Sequence, residues 1–174
     1  ASNDYQIVDR TDIPSGEVLF ENAWGVADEV LFNHALTRLD ATAQAGKPFF
    51  AQVMTTSNHR PYTYPDGRID IPSPGGRDGA VKYTDYAIGK FIDDARSHPW
   101  FNDTLFVIVA DHCASVSGKQ KLPVANYHIP MVFYAPGIIE PARYPGLASQ
   151  IDLPPTLLQM LGASGADLFY GQPL

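Results

Sequence analysis

The stretch that most constrains the fold is Thr104-Leu105-Phe106-Val107-Ile108-Val109-Ala110. A strand with one wet face alternates polar and apolar residues, and this run does not. Such a run suits a central strand covered on both faces by helices. Around it lie two segments of helical period. From Asp28, expected as an N-cap, apolar residues recur at Phe32, Leu36, Leu39 and Ala43, and Gly46 with Pro48 ends the pattern. From Ala80, the spacing of Val81, Ile88, Phe91, Ile92 and Ala95 predicts a second amphipathic helix, with Lys82, Asp85, Lys90, Asp93 and Asp94 on its wet side. Phe49–Met54 is a short apolar run after Pro48 and is expected to be a buried strand. Pro130–Ala135 is another such run, and Asp152–Leu161 is a short helix opened by Pro154-Pro155. Residues Tyr62–Gly79, rich in proline and glycine, are expected to form a surface excursion. The order of elements predicts an α/β sheet with helices on both faces.

The 174 residues are enough for one globular domain. No apolar run reaches the roughly 18 residues that a membrane span requires. The net charge of -7 and the lack of a Lys/Arg cluster argue against a nucleic-acid partner. An acidic chain that handles a phosphate must neutralise it locally, and a divalent cation is a compact way to do so. Cys113 is the sole cysteine, so neither a disulfide framework nor a cysteine-rich zinc module is available.

In open parallel sheets, ligands gather beyond the carboxyl ends of the strands. Asp111-His112 follows the Thr104–Ala110 run, and Ser57-Asn58-His59 follows Phe49–Met54. If the two strands are parallel, Asp111, His112 and His59 fall within reach of one site. Asp111 and His112 pair a hard oxygen with an imidazole nitrogen, a donor set for Mn²⁺ or Zn²⁺ that Mg²⁺ accepts. The plain alternative is a satisfied loop pair. His59 is either a surface histidine in a turn or a ligand for a substrate phosphate. His128 is read as structural, and His34 and His98 as solvated or capping. Cys113 lacks a neighbouring base and is not read as a nucleophile.

Several segments resemble the alkaline-phosphatase/sulfatase superfamily, in the order expected there. Val109-Ala110-Asp111-His112 is similar to its second metal-ligand motif, and the segment from Ala148 to Gly162 resembles its closing helix. Thr56-Ser57-Asn58-His59-Arg60-Pro61-Tyr62 resembles a loop of the lipoteichoic acid synthases and phosphoglycerol transferases, and Asn22–Glu29 is similar to another segment of that subfamily. Cys113 stands where the family usually has glycine. The resemblance implies an alkaline-phosphatase-like three-layer sandwich, a mostly parallel sheet between helices. Residues 1–174 are expected to form the carboxy-terminal part of the catalytic domain.

The implied activity is metal-dependent phosphoglycerol transfer through a covalent intermediate. A threonine attacks the phosphorus of a phosphatidylglycerol-like donor, diacylglycerol leaves, and a glycan or polyol-phosphate acceptor takes the glycerophosphate. Asp111 and His112 would hold the cation, most simply Mn²⁺ with Mg²⁺ or Zn²⁺ as alternatives, and His59 would contact the phosphoglycerol. No position here matches the family's nucleophile, which is therefore expected upstream of Ala1. The remainder of the catalytic domain is then a partner, and the chain by itself is expected to be inactive. The implied location is the extracytoplasmic side of a bacterial inner membrane. The competing readings are a sulfatase or phosphodiesterase of the same superfamily, or a non-catalytic module that binds a glycan or lipid head group.

Overall fold

The computed structural model describes residues 5–114, 124–165 and 168–174. It divides into two compact units, Ala1–Gly137 and Ile138–Leu174.

The larger unit opens with short 3-10 turns and a hairpin, β1 (Glu21–Asn22) and β2 (Gly25–Val26), paired antiparallel. Helix α1 (Asp28–Gln44) follows directly. Its buried residues include Val30, Phe32, Leu36 and Leu39, on the face that the periodicity predicts. Asp28 is the first helical residue rather than the N-cap, and its carboxylate bonds the 56–57 backbone instead of its own helix.

The second helix, α2 (Gly76–Ala95), starts a turn earlier than its apolar spacing predicts. Its buried line is Ala80, Tyr83, Ala87 and Ala95, while Val81 is 49% exposed. Small residues take this line because Tyr64, stacked on Tyr83 at 5.2 Å, lies across the first turn. A Cβ on Gly79 would sit 2.1 Å from the Tyr64 hydroxyl, so the glycines that read as helix breakers are clearance for a buried ring. The Tyr64 hydroxyl donates to the Ile71 and Pro72 carbonyls, and Ser73 Oγ accepts from the Tyr64 amide, which folds the excursion back on itself.

Two apolar clusters hold the unit together. The first gathers Ile13, Val26, Ala27, Val30, Tyr64, Ala80 and Tyr83 at the start of both helices. The second gathers Leu36, Leu39, Ala95, Trp100, Phe101 and Phe106 at their far ends. Phe106 opens β3 (Phe106–Val109), which pairs antiparallel with β4 (Met131–Tyr134) in the register Phe106 to Tyr134 through Val109 to Met131.

This corrects four expectations. β3 pairs antiparallel, and only Phe106 in it is buried, so helices do not cover both its faces among the described residues. Phe49–Met54 forms no ladder with any described strand, and Phe50 and Met54 are 66% and 69% exposed. A strand requires a neighbour to take its backbone hydrogen bonds. Phe49 is instead anchored as a side chain, edge-on to Trp100 at 5.5 Å. The expected parallel pairing of 49–54 with 104–110 is therefore not formed. His34 and His98 are not solvated caps either. His34 is 9% exposed, with Nε2 accepting from Arg38 Nε. His98 Nδ1 lies 2.7 Å from Asp40 Oδ1, which also accepts from the Trp100 indole.

The smaller unit carries α3 (Leu153–Met160), with Pro154-Pro155 in its first turn as expected. Ser149 and Asp152 form a reciprocal cap just before it. Asp152 also accepts from the Gln172 amide, and Thr156 Oγ1 accepts from the Leu174 amide, tying the tail to the helix. Backbone N–H groups of Gln172 and Ser149 hold the Asp152 carboxyl below its ordinary value.

Candidate functional site

The His59 turn is built from below by Asp28. That carboxylate is fully buried, and it is pinned by three donors. Oδ1 accepts from the amides of Thr56 and Ser57, each at 3.0 Å, and Oδ2 accepts from Thr84 Oγ1 at 2.9 Å. Ser57 Oγ returns the bond by accepting from the Asp28 amide at 3.1 Å. One side chain thus joins the start of α1, the middle of α2 and the turn. A carboxylate at a helix start is further favoured by the helix dipole. Glu29 beside it accepts from Arg68 Nε at 2.8 Å and from the Tyr83 hydroxyl at 3.1 Å. Burial, reinforced by Glu29, pushes the Tyr83 phenol far up, so it stays a neutral donor.

Above this base the turn closes through His59 N to Thr56 O and Tyr62 N to His59 O. Asn22 Nδ2 donates to Thr63 Oγ1, and the Trp24 amide donates to Asn22 Oδ1, which brings the β1–β2 hairpin alongside. The Trp24 indole then lies on the His59 imidazole, with ring centroids 3.6 Å apart. His59 Nδ1 is 3.0 Å from the Arg60 carbonyl. With the proton on Nδ1, that bond leaves Nε2 as an acceptor facing outward. Trp24 is 55% exposed, so the pair, its rings tilted by 37°, forms an open aromatic face.

Two guanidiniums close the far side. Arg77 Nη2 donates to the Tyr62 hydroxyl at 3.3 Å, and Arg60 lies close enough to act on the phenol electrostatically. The hydrogen bond from Arg77, with the positive charge of Arg60 beside it, holds the Tyr62 phenol below its ordinary value. Tyr62 itself sits at φ 63, a left-handed conformation that a non-glycine residue holds only when its surroundings enforce it.

Asp111 and His112 sit where β3 ends, as the sequence suggests, in a more open setting. Asp111 Oδ1 accepts from the His112 amide at 2.9 Å, and the side chains are 76% and 68% exposed. His112 Nδ1 lies 2.8 Å from the Cys113 carbonyl, and Nε2 is 3.4 Å from Asp111 Oδ2. When Nδ1 donates to that carbonyl, the Nε2 lone pair and a carboxylate oxygen face a common point, where a proton or a cation belongs. Fixing one ring nitrogen on a carbonyl so that the other can ligate is how metal-binding histidines are oriented. The donor set thus fits a divalent cation as two of its ligands. Among the described residues, no group of three or more His, Cys, Asp or Glu side chains converges as a metal would require. His59 is therefore not a third member of an assembled cluster. His128 is exposed.

Sequence reasoning missed Asp28, Trp24, Tyr62 and Arg77. Asp28 was visible as a helix-start acid, but nothing local says that its acceptors serve a turn 28 residues away. Arg77 lay inside what reads as a loop.

Comparison with known proteins completes the picture. The sulfatase family model matches residues 2–163, and the chain belongs to the sulfatase family. It is 25% identical over 167 residues to lipoteichoic acid synthase 2 of Bacillus subtilis, an alignment covering 83% of this chain and 25% of that protein. It is 27% identical over 164 residues to phosphoglycerol transferase I of Xanthomonas campestris pv. campestris, covering 88% of this chain and 23% of the relative. The chain spans about a quarter of the length of these relatives. Among solved structures, a protein in the alkaline phosphatase superfamily from Vibrio parahaemolyticus matches with TM-score 0.85 and 40% identity, over 92% of this chain and 39% of the other. The lipoteichoic acid synthase LtaP from Listeria monocytogenes matches with TM-score 0.71 and 26% identity, over 89% and 43%. The fold is that of the alkaline phosphatase superfamily, in a portion of its domain.

Proposed function

We propose that these residues form the carboxy-terminal part of a phosphoglycerol transferase domain that acts on a phosphatidylglycerol-like donor. In this reading the nucleophilic threonine belongs to a part of the domain outside residues 1–174. Asp111 and His112 supply two ligands of a divalent cation, with Mn²⁺ the best fit to one carboxylate and one imidazole. When bound, the cation would neutralise charge on the phosphoryl oxygens. The Cys113 carbonyl holds the His112 ring in the tautomer that presents Nε2. His59, packed against Trp24, offers Nε2 to a hydroxyl of the phosphoglycerol, and the acceptor is a glycan or a polyol phosphate.

The observation that carries the reading is the approach of His112 Nε2 to Asp111 Oδ2, 3.4 Å apart at the end of a strand. The names of the relatives favour transferase over sulfatase. By the same resemblance, the domain works on the extracytoplasmic side of a membrane. No helix among the described residues is long and apolar enough to cross one.

Calorimetric titration of Mn²⁺ into the chain tests the site. Two protein donors fall short of the three or more that tight sites use, so weak binding is expected. It should vanish in Asp111→Ala and in His112→Ala, and the wild-type chain with Mn²⁺ should not turn over a phosphodiester. Equal Mn²⁺ affinity in either variant would remove both residues from the site. Metal-dependent turnover would place the nucleophile within these residues.

A further inference from the structure

The β1–β2 hairpin takes no part in the phosphoglycerol chemistry proposed for the site. Each of its strands has only 2 residues, and Ala23-Trp24 forms its tip. So short a hairpin is held by what it touches rather than by its own ladder. It grips the His59 turn at both ends. On one side Asn22 Nδ2 donates to Thr63 Oγ1 at 3.1 Å, and on the other Thr56 Oγ1 donates to the Val26 carbonyl at 3.4 Å. Gly25, at φ 150, brings the hairpin close to Thr56, whose Oγ1 would lie 3.4 Å from a Cβ placed there. Between these ties the Asn22 carboxamide oxygen accepts from the Trp24 amide, and the indole comes down over the middle of the turn, onto the His59 ring.

His59 is exposed, and its Nδ1 faces the carbonyl of the very next residue, Arg60, at 3.0 Å. In free histidine the neutral ring carries its proton mainly on Nε2, so donation from Nδ1 needs the ring kept in one orientation. A single hydrogen bond open to water holds an exposed ring only loosely. The indole supplies the second constraint. With the centroids 3.6 Å apart, turning the imidazole about its Cβ–Cγ bond drives a ring edge into the indole. The indole thus fixes the ring plane, and the Arg60 carbonyl selects which edge faces it.

We propose that Trp24 is a positioning residue for His59: its indole fixes the imidazole plane, so that Nδ1 stays on the Arg60 carbonyl and Nε2 stays presented to the ligand. This deepens the proposed function and rests on the reading of His59 as a phosphoglycerol contact. Trp24 acts through His59 and need not touch the ligand. Its backbone amide, not its ring, bonds Asn22, so removing the ring leaves the ties of the hairpin in place.

The tautomer of His59 reports on this directly, because the two neutral forms differ in their ring-nitrogen NMR shifts. Spectra in mildly alkaline solution, where imidazoles are neutral, are compared for the wild-type chain, Trp24→Ala, Trp24→Phe and His59→Ala, the last identifying the His59 signal. Calorimetry with glycerophosphoglycerol in the absence of metal, and the thermal midpoint of each variant, accompany them. The wild type should show the proton on Nδ1. Trp24→Ala should move it toward Nε2 and weaken the probe roughly threefold to tenfold, the size of one lost aromatic contact, with little change in midpoint. Trp24→Phe should restore the wild-type signal and most of the affinity. A wild-type ring with its proton on Nε2, or a His59 signal unchanged in Trp24→Ala, overturns the proposal, as does a shift that Trp24→Phe fails to reverse. If His59→Ala leaves the affinity for the probe unchanged, the phosphoglycerol reading falls and the ring signal alone judges Trp24.

Discussion

The His59 turn and the Asp111–His112 turn each follow an apolar run, and each presents a histidine whose Nδ1 lies against a backbone carbonyl. Their support differs. Beneath His59 lies a buried carboxylate with three donors, a hairpin tied on through Asn22, and an indole against the ring. Around Asp111 and His112, the bonds described run to immediate neighbours in an exposed turn. The first turn has its shape fixed by contacts within the larger unit. The second is exposed, and the bonds described there are local ones. Preorganisation lowers the ordering cost of binding, so under the proposed roles His59 should bind its ligand without metal, whereas ligand binding at Asp111 and His112 should depend on one.

That contrast can be broken most directly at Asp28. Asp28→Ala leaves the Thr56 and Ser57 amides and the Thr84 hydroxyl without their acceptor in a buried site. The expected loss is about 3–5 kcal/mol of stability, read by denaturant unfolding. The His59 turn should loosen with it, seen as faster amide exchange at residues 56 and 57. A loss below about 1 kcal/mol would mean that water replaces the carboxylate and the turn supports itself.

Thr84→Val is the gentler cut. It keeps the shape of the side chain and removes one of the three donors to Asp28, with an expected cost of about 1–2 kcal/mol by the same measurement. A neutral result would assign the hold on the turn to the two amides alone.

The smallest effect is expected at the other turn. His112→Ala should change the stability of the metal-free chain by less than about 0.5 kcal/mol, because an exposed side chain bonded to its neighbour contributes little. A larger loss would show that this turn, too, is part of the frame.

Much of this was open to inspection in the chain itself. The period of Phe32, Leu36 and Leu39 marks the buried face of α1, Pro154-Pro155 marks the start of α3, and the run ending at Val109 leads into Asp111-His112 as a strand does. These follow from local rules, because periodicity and capping depend on residues a few positions apart. The family, too, was legible, since the ordered motifs run from Asn22 to Gly162 and so span most of the stretch that its model matches.

What the tertiary structure decided lies across longer separations. Whether a run becomes a paired strand depends on the neighbour that takes its hydrogen bonds: β3 found β4, and Phe49–Met54 found none among the described residues. Whether Gly79 breaks a helix or clears space depends on where Tyr64 lies. Asp28 reads locally as a cap, yet it serves a turn 28 positions on, and Arg77 meets Tyr62 only because α2 folds back against the excursion. Sequence spacing sets which groups share a helix face or a strand end, since those geometries repeat over a few residues. Partners for a buried charge are chosen by packing, which no local pattern encodes.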